Sequence, residues 1–496
     1  MTGRTAFPIV ALGLLLLYGA SLRETYLFAD ETWLFADNMV KRSWLDAVFA
    51  YTVSFGRPLL APLHHAMSQA IHLGEPGLTA LRGYQFIASL GAAWLVLVVV
   101  VRLGLSWLQG TLLVLFIWSQ PAYAMNHLYA HVSGGWPFAL LSLLATWVVV
   151  GERSPLRGPV AVVAAYGLFL LGFFGSPGAM FFCAGFIALA TLQDRSLDRW
   201  RRHAAAFAAL CGAFATFVVF YFAAKHGLGW FTYRGGARIG VSLETLRVFE
   251  FWNYPVRVSA TNAQVRLAWL AAALAWGGLV ATAVVRERTR PAAKWRRWGL
   301  ALACVGSTFA VVLADGSSGR QHLFFAAVPA LVLVCWYALR VLARDVRPGM
   351  VRVAAVIAVV AVLVGGGLSY PRDLVRPAAS MFAFIERALA TGAAGAGDSG
   401  PVSVIVPEPS TWREACQGQP CGGFHRRRFQ LRWHLTRDSY YTTVLRLSGQ
   451  PWRRPVEFIA ADAGADPRSP VVDWPAYLRT QACLGRLNVA RYPCGD

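Results

Sequence analysis

Two neighbouring carboxylates are the first residues in this chain that could do chemistry. They stand in Phe28-Ala29-Asp30-Glu31-Thr32-Trp33, shortly after the first apolar run. Side by side and partly dehydrated beside a bilayer, two acids repel each other and lose hydration, and both effects raise a carboxyl pKa. That favours general-base work or the holding of a metal ion. The same pair also suits a plain cap, with Asp30 accepting from the amides of a helix over Trp33 to Val40. Downstream comes Phe55-Gly56-Arg57-Pro58-Leu59. Arg57 can grip a phosphate or pyrophosphate through two parallel hydrogen bonds. After Pro58, the polar residues His64, His65, Ser68, Gln69 and His72 punctuate an apolar stretch. That is the pattern of a helix lying in an interface rather than crossing it. His64 and His65 are candidate substrate contacts, with simple interfacial solvation as the competing role. Neither their spacing nor a cysteine partner makes a zinc site.

Three later segments carry further candidates. Asn126-His127-Leu128-Tyr129-Ala130-His131 has no formal charge but many hydrogen-bonding groups. His127 and Tyr129 would suit sugar hydroxyls, and a short polar connector would look the same. The stretch 223–266 holds Trp230, Phe231, Tyr233, Arg234 and Arg238. These could stack on and bind a lipid-linked phosphosugar, or form an aromatic belt at the interface. Asp315-Gly316-Ser317-Ser318-Gly319-Arg320-Gln321-His322 precedes another apolar run. An ionisable group where a helix re-enters the membrane is a functional candidate, and Arg320 and His322 stand there; snorkelling is the other reading of Arg320. No Walker loop, G-x-G-x-x-G element or nucleotide-sugar motif is present in the sequence.

Membrane-spanning helices must position these segments. The chain has 496 residues, of which 56% are hydrophobic and 14% charged, against about 25% charged in soluble domains. Apolar runs such as Ile87 to Val101 and Val353 to Leu368 contain no charge. Backbone groups in lipid must be satisfied internally, so such runs are helices. Eleven spans are expected, near 6–22, 83–101, 110–125, 136–150, 159–173, 177–192, 204–222, 267–285, 298–314, 323–343 and 353–369. The first reads as a retained signal anchor.

With the N-terminus inside, the inner segments hold 17 Lys and Arg in 53 positions, and the outer ones 12 in 125. That is the sign required of cytoplasmic loops. The cluster Arg286, Arg288, Arg290, Lys294, Arg296 and Arg297 is the strongest anchor, and it reads as a stop signal ahead of a lipid-binding site. The net charge of +21 therefore follows topology, and nucleic-acid binding is set aside.

The expected organisation is a polytopic α-helical membrane domain over 1–370, with a long first exported loop at 23–82. A helix and linker follow over 371–400, and a small extracytoplasmic α/β domain over 401–496. An amphipathic helix is expected around Ala378 to Ala390, and strands at Val402 to Val406, Phe429 to His434, Tyr441 to Leu445 and Val456 to Ala460. Cys183, Cys211, Cys304 and Cys335 fall in predicted helices and pack as small apolar residues. Cys416, Cys421, Cys483 and Cys494 fall in the exported tail and suggest two disulfides, with 416–421 and 483–494 the favoured pairing among three.

A first helix, an acidic pair in a long exported loop and a Gly-Arg-Pro-Leu element together resemble the multi-spanning glycosyltransferases of the GT-C superfamily. The similarity is to the O-antigen glucosyltransferase-like branch, carried by Asp30-Glu31 and Gly56-Arg57-Pro58, with Ser318-Gly319-Arg320 resembling a further turn of that group. The resemblance implies an enzyme; the charge distribution and eleven crossings put it in a bacterial inner membrane with the N-terminus cytoplasmic and the C-terminal domain extracytoplasmic. It would move a sugar from a polyprenyl-phosphate donor to a hydroxyl of a glycan, lipid or protein acceptor. Asp30 would be the general base. Glu31 would assist through a divalent metal such as Mg or Mn, or by its charge alone. Arg57 and Arg320 would meet the donor phosphate. The second acid is Glu where the group typically has Asp, and no further acid stands out in the sequence to complete a metal site.

Two other classes compete. A flippase or transporter for a lipid-linked glycan would carry charges midway along its helices. A non-catalytic envelope assembly subunit could use the tail, with its 16 basic and 11 acidic residues, but has no use for Asp30-Glu31 with Arg57.

Overall fold

The computed structural model describes residues 2–24, 43–55, 57–120, 123, 135–152, 154–194, 196–229, 262–310, 325–343, 348–370, 375–393, 402–406, 441, 443–444, 447, 456–460 and 471–473. The described chain is mostly helical. In order come α1 (Gly3–Tyr18), α2 (Trp44–Phe55), α3 (Ala61–Ser68), α4 (Glu75–Arg102), α5 (Trp107–Trp118), α6 (Trp136–Val150), α7 (Gly158–Phe173) and α8 (Pro177–Gln193). They are followed by α9 (Leu197–Gly227), α10 (Asn262–Arg286), α11 (Pro291–Ser307), α12 (Ala327–Leu342), α13 (Pro348–Tyr370) and α14 (Arg376–Ala393). Three described stretches are long and apolar enough to cross a bilayer: Glu75–Arg102, Leu197–Gly227 and Leu267–Arg286. Shorter apolar helices of 10–17 residues stand beside them, among them α1, α5, α6, α7 and α12. This is a helical membrane protein.

Helix faces follow from residue spacing. On α4 the buried residues Leu78, Leu81, Arg82, Gln85, Ser89, Ala92, Val96 and Val100 recur every three or four positions, one stripe of a 3.6-residue helix. Ile87, off that stripe, is 70% exposed, as a lipid-facing residue would be. The helix starts at Glu75, with Pro76 in its first turn where the missing amide costs nothing. The loop expected over 23–82 therefore ends earlier, and Arg82 sits two turns inside a helix, buried. α11 likewise starts at Pro291 rather than near 298, and so takes Lys294, Arg296 and Arg297 into its first two turns.

α3 and the 3-10 turn Gln69–Leu73 form a helical stretch too short to cross. A tight approach fixes this stretch to α4. A Cβ built on Gly77 would overlap the Ala70 carbonyl, so only glycine lets the turn pack there.

α14 buries Ala378, Met381, Phe382 and Ile385 at i, i+3, i+4 and i+7 and leaves Arg387 exposed. Beyond it, β1 (Val402–Val406), β2 (Val456–Ala460) and β3 (Val471–Asp473) form a parallel sheet in the order β2-β1-β3. Strands β1 and β2 stand where the sequence predicts them, and β3 is additional. The predicted strand over Tyr441 to Leu445 is a correction: Tyr441, Thr443, Val444 and Leu447 are helical. Tyr441, Val444 and Leu447 are all buried, at a spacing of three that one helix face supplies and an alternating strand does not. Parallel pairing of β1 with β2 needs a crossover of this kind, and tertiary packing overrides the β-branched Thr442-Thr443-Val444. The predicted strand at Phe429 to His434 lies outside the described residues. Cys183, Cys211, Cys304 and Cys335 are free thiols, two of them fully buried. The four tail cysteines lie outside the described residues.

Candidate functional site

Among the described residues, the ends of helices meet in two places that differ in chemistry. At one, aromatic rings join the residues from which the candidate segments emerge. The Tyr18 hydroxyl, at the end of α1, donates to the Trp118 carbonyl at the end of α5. Its ring meets Tyr370, at the end of α13, edge-on at 5.1 Å. Trp118 stacks on Trp136, the first residue of α6, with centroids 5.7 Å apart and planes within 8°. Its indole N–H donates to Ser89 Oγ on α4 at 2.8 Å. The Tyr123 hydroxyl donates to the Phe325 carbonyl at 3.0 Å, and the two rings stack at 5.1 Å. Phe325 also meets Trp136 edge-on at 4.8 Å and stacks on Phe182 of α8 at 5.3 Å. Aromatic pairs at these separations add about 0.5–1.5 kcal/mol each beyond area burial. The group is neutral, and each buried hydroxyl or indole N–H named here has a partner.

Each root in this cluster precedes or follows a segment that the sequence singles out. Asp30 and Glu31 follow Tyr18 and Ser21. His127 and Tyr129 lie between Tyr123 and Trp136. Arg320 and His322 precede Phe325. Asp30, Glu31, His127, Tyr129, Arg234, Arg320 and His322 themselves lie outside the described residues, as does the helix predicted over Trp33 to Val40.

Arg57, His64 and His65 are described. Arg57 is half-buried, its carbonyl accepting from the Leu60 amide at 3.2 Å. The Leu59 amide donates to the Phe174 carbonyl at 3.4 Å, which ties the Gly-Arg-Pro element to the end of α7, the helix that leads into α8 and its Phe182. His64 is buried on the inner face of α3 with Ala61 and Met67. His65 is half-buried, with a ring nitrogen 3.5 Å from Gln69 Nε2. The two histidines therefore differ: His64 packs within the protein, and His65 is the one closer to solvent.

Arg82 is a candidate that sequence reasoning passed over. It is 3% exposed, and its guanidinium donates to Gln85 Oε1 at 3.2 Å. With Ser89 it makes a polar stripe at i, i+3 and i+7 running down α4 to Trp118. That spacing was the available signal, hidden because Arg82 fell at the edge of the predicted loop. A buried guanidinium on this stripe adds fixed positive charge to the same end of α4.

At the other place the tie is ionic. Glu287, just past α10, and Arg297 on α11 pair at 3.0 Å with both side chains almost fully buried. Arg297 also donates to the Tyr337 hydroxyl at 2.7 Å, to the Thr191 carbonyl at 3.3 Å and to the Leu192 carbonyl. Tyr337 and the Trp298 indole donate to the Glu287 carboxylate at 3.1 and 2.6 Å. Arg297 thus caps carbonyls of the last turn of α8, which have no partner within their helix. Within the basic cluster expected to act as a cytoplasmic stop signal, Arg297 is buried and serves as an internal tie between α8, α10, α11 and α12.

Among the described residues no three potential metal ligands come together. Comparison with protein-family models, with curated protein sequences and with solved structures gives no match. The reading of function accordingly rests on residues and geometry.

Proposed function

We propose that this chain is a membrane glycosyltransferase of GT-C type, transferring a sugar from a polyprenyl-phosphate donor to a hydroxyl of a glycan, lipid or protein acceptor at the extracytoplasmic face. One observation carries the proposal: the roots of the segments bearing Asp30-Glu31, His127-Tyr129 and Arg320-His322 pack in one aromatic cluster, and the Arg57 element is tied to the end of α7 on the same side. In this reading the shared roots bring the segments that carry the required chemistry toward one side.

In the proposed reaction Asp30 takes the proton of the acceptor hydroxyl. The acceptor oxygen bonds to the anomeric carbon. The bond from that carbon to the phosphate oxygen breaks, and its electron pair leaves with the polyprenyl phosphate. Arg57 and Arg320 meet the charge gathering on that phosphate. Glu31 keeps the pair's field negative and holds the Asp30 carboxyl ready as a base. His65, His127, Tyr129, Arg234 and His322 supply hydrogen bonds to sugar and phosphate oxygens. A bound Mg or Mn would supply further phosphate neutralisation.

The buried ionic groups support an enzyme over a transporter. Arg82, Glu287 and Arg297 lie within about two turns of helix ends, where a transporter would carry its charges at the midplane. The test is Asp30→Asn in cells whose envelope glycans are followed by mass spectrometry. Loss of a specific glycan product at unchanged protein level is expected. Full product from both Asp30→Asn and Glu31→Gln would defeat the proposal.

A further inference from the structure

The turn from α10 into α11 holds six cations and one acid over 286–297, and the fold sorts them into two groups. Glu287 and Arg297 turn inward and neutralise each other. Arg286, Arg288, Arg290 and Arg296 are exposed, and Lys294 is half-buried. The outward surface of the turn is therefore five cations with no acid among them. Among the described residues none of the five forms an ion pair. A stop signal needs only charge in a loop; the arrangement here is more specific.

Two tryptophans frame it. The Trp200 indole, near the start of α9, donates to the Arg296 carbonyl at 3.2 Å, and the Arg296 guanidinium lies 5.8 Å from its ring centre. This pins α9 beside the turn, while Arg199 and Arg201 are taken up by Glu152, Asp194 and Asp198. Trp295 is 64% exposed, with Lys294 Nζ 5.9 Å from its ring centre. From this patch the apolar outer faces of α10 and α11 continue through Val285, 77% exposed, and Leu302, 39% exposed. Cations, then indoles, then bare aliphatic surface match in order what a phospholipid presents: phosphate, interface, acyl chain. A soluble anion would need neither the indoles nor the apolar faces, and a zwitterionic lipid would leave the charge unbalanced.

We propose that the seam between the start of α9 and the α10–α11 turn is a docking site for an anionic phospholipid headgroup. The inference stands apart from the proposed reaction and survives if that reaction is wrong. The test is native mass spectrometry of the full chain in a neutral detergent, titrated with phosphatidylglycerol or with phosphatidylcholine of the same acyl chains. The expected result is preferential retention of phosphatidylglycerol. With about a fivefold loss for each charge removed from a membrane surface, the variant Arg288→Gln/Arg290→Gln/Lys294→Gln/Arg296→Gln loses that preference by at least about tenfold. A set neutralising Arg4, Arg102 and Arg157 keeps it. If the fourfold variant is not monodisperse, Arg288→Gln/Arg290→Gln alone is read, with a several-fold loss expected. Equal retention of the two lipids by the unaltered chain, an unchanged preference in the turn variants, an equal loss in the control set, or displacement of the lipid by inorganic phosphate would each overturn the proposal.

Discussion

The two junctions where helix ends meet are held by opposite means. One is a neutral cluster of Tyr18, Trp118, Tyr123, Trp136 and Phe325, joined by ring packing and by hydroxyl and indole donors. The other is a buried ion pair, Glu287 with Arg297, completed by Tyr337, Trp298 and two helix carbonyls. The ionic tie is strong only while intact, because a buried charge stripped of its partner is costly. The aromatic tie is built of many modest contacts, so its parts fail separately. Segments that carry reacting groups need a rigid root on which to be aimed, and stacked rings give that without a charge that would compete for the phosphate of the proposed donor.

That contrast can be broken or sharpened by substitution. The largest expected effect is Arg297→Met, which abandons a buried carboxylate and costs about 3–5 kcal/mol; thermal or denaturant unfolding in detergent reads it. Adding Glu287→Leu recovers most of the loss, and no recovery would mean that the pair is not a self-contained tie. Gly77→Ala comes next, at about 1–3 kcal/mol, because the added methyl must push the Ala70 backbone off α4; the same measurement applies, and faster proteolysis within 57–75 is expected to accompany it. Tyr123→Phe is smallest in stability, about 0.5–1.5 kcal/mol for the donor lost to the Phe325 carbonyl. Its effect on turnover per folded molecule is expected to be greater, about tenfold, because displaced reacting groups lose rate steeply. Arg297→Met shows the reverse pattern, with stability lost and turnover per folded molecule kept. Were both variants to lose turnover in step with stability, the two junctions would not differ in role.

Much of this architecture was legible in the residues. Trp136 to Val150 was bounded correctly because Pro137 lies in its first turn and Gly151 follows its last residue. β1 and β2 stood where β-branched runs lay between turn residues. The α11 start was missed because hydropathy hides it: Lys294, Arg296 and Arg297 look like loop, yet Pro291 opens a helix that contains them. Glu287 with Arg297 was invisible for a related reason, since nothing in the sequence distinguishes the one cation of six that turns inward. The strand expected over Tyr441 to Leu445 was misread because local β propensity there is overruled: Tyr441, Thr443 and Val444 are helical. Of the candidate site, the roots are placed and the Arg57 element is placed, while Arg82 emerged only when α4 was seen to begin at Glu75.

The central claim is that the acidic pair and the late arginine share one side of the membrane, the side of the aromatic junction. Asp30→Cys and Arg320→Cys, made singly and exposed on intact cells to a membrane-impermeant maleimide, test it directly. Both are expected to label above the parent chain from outside, with Arg288→Cys, at the ionic junction, labelling only after the membrane is opened. Asp30→Cys and Arg320→Cys labelling from opposite sides would contradict the account.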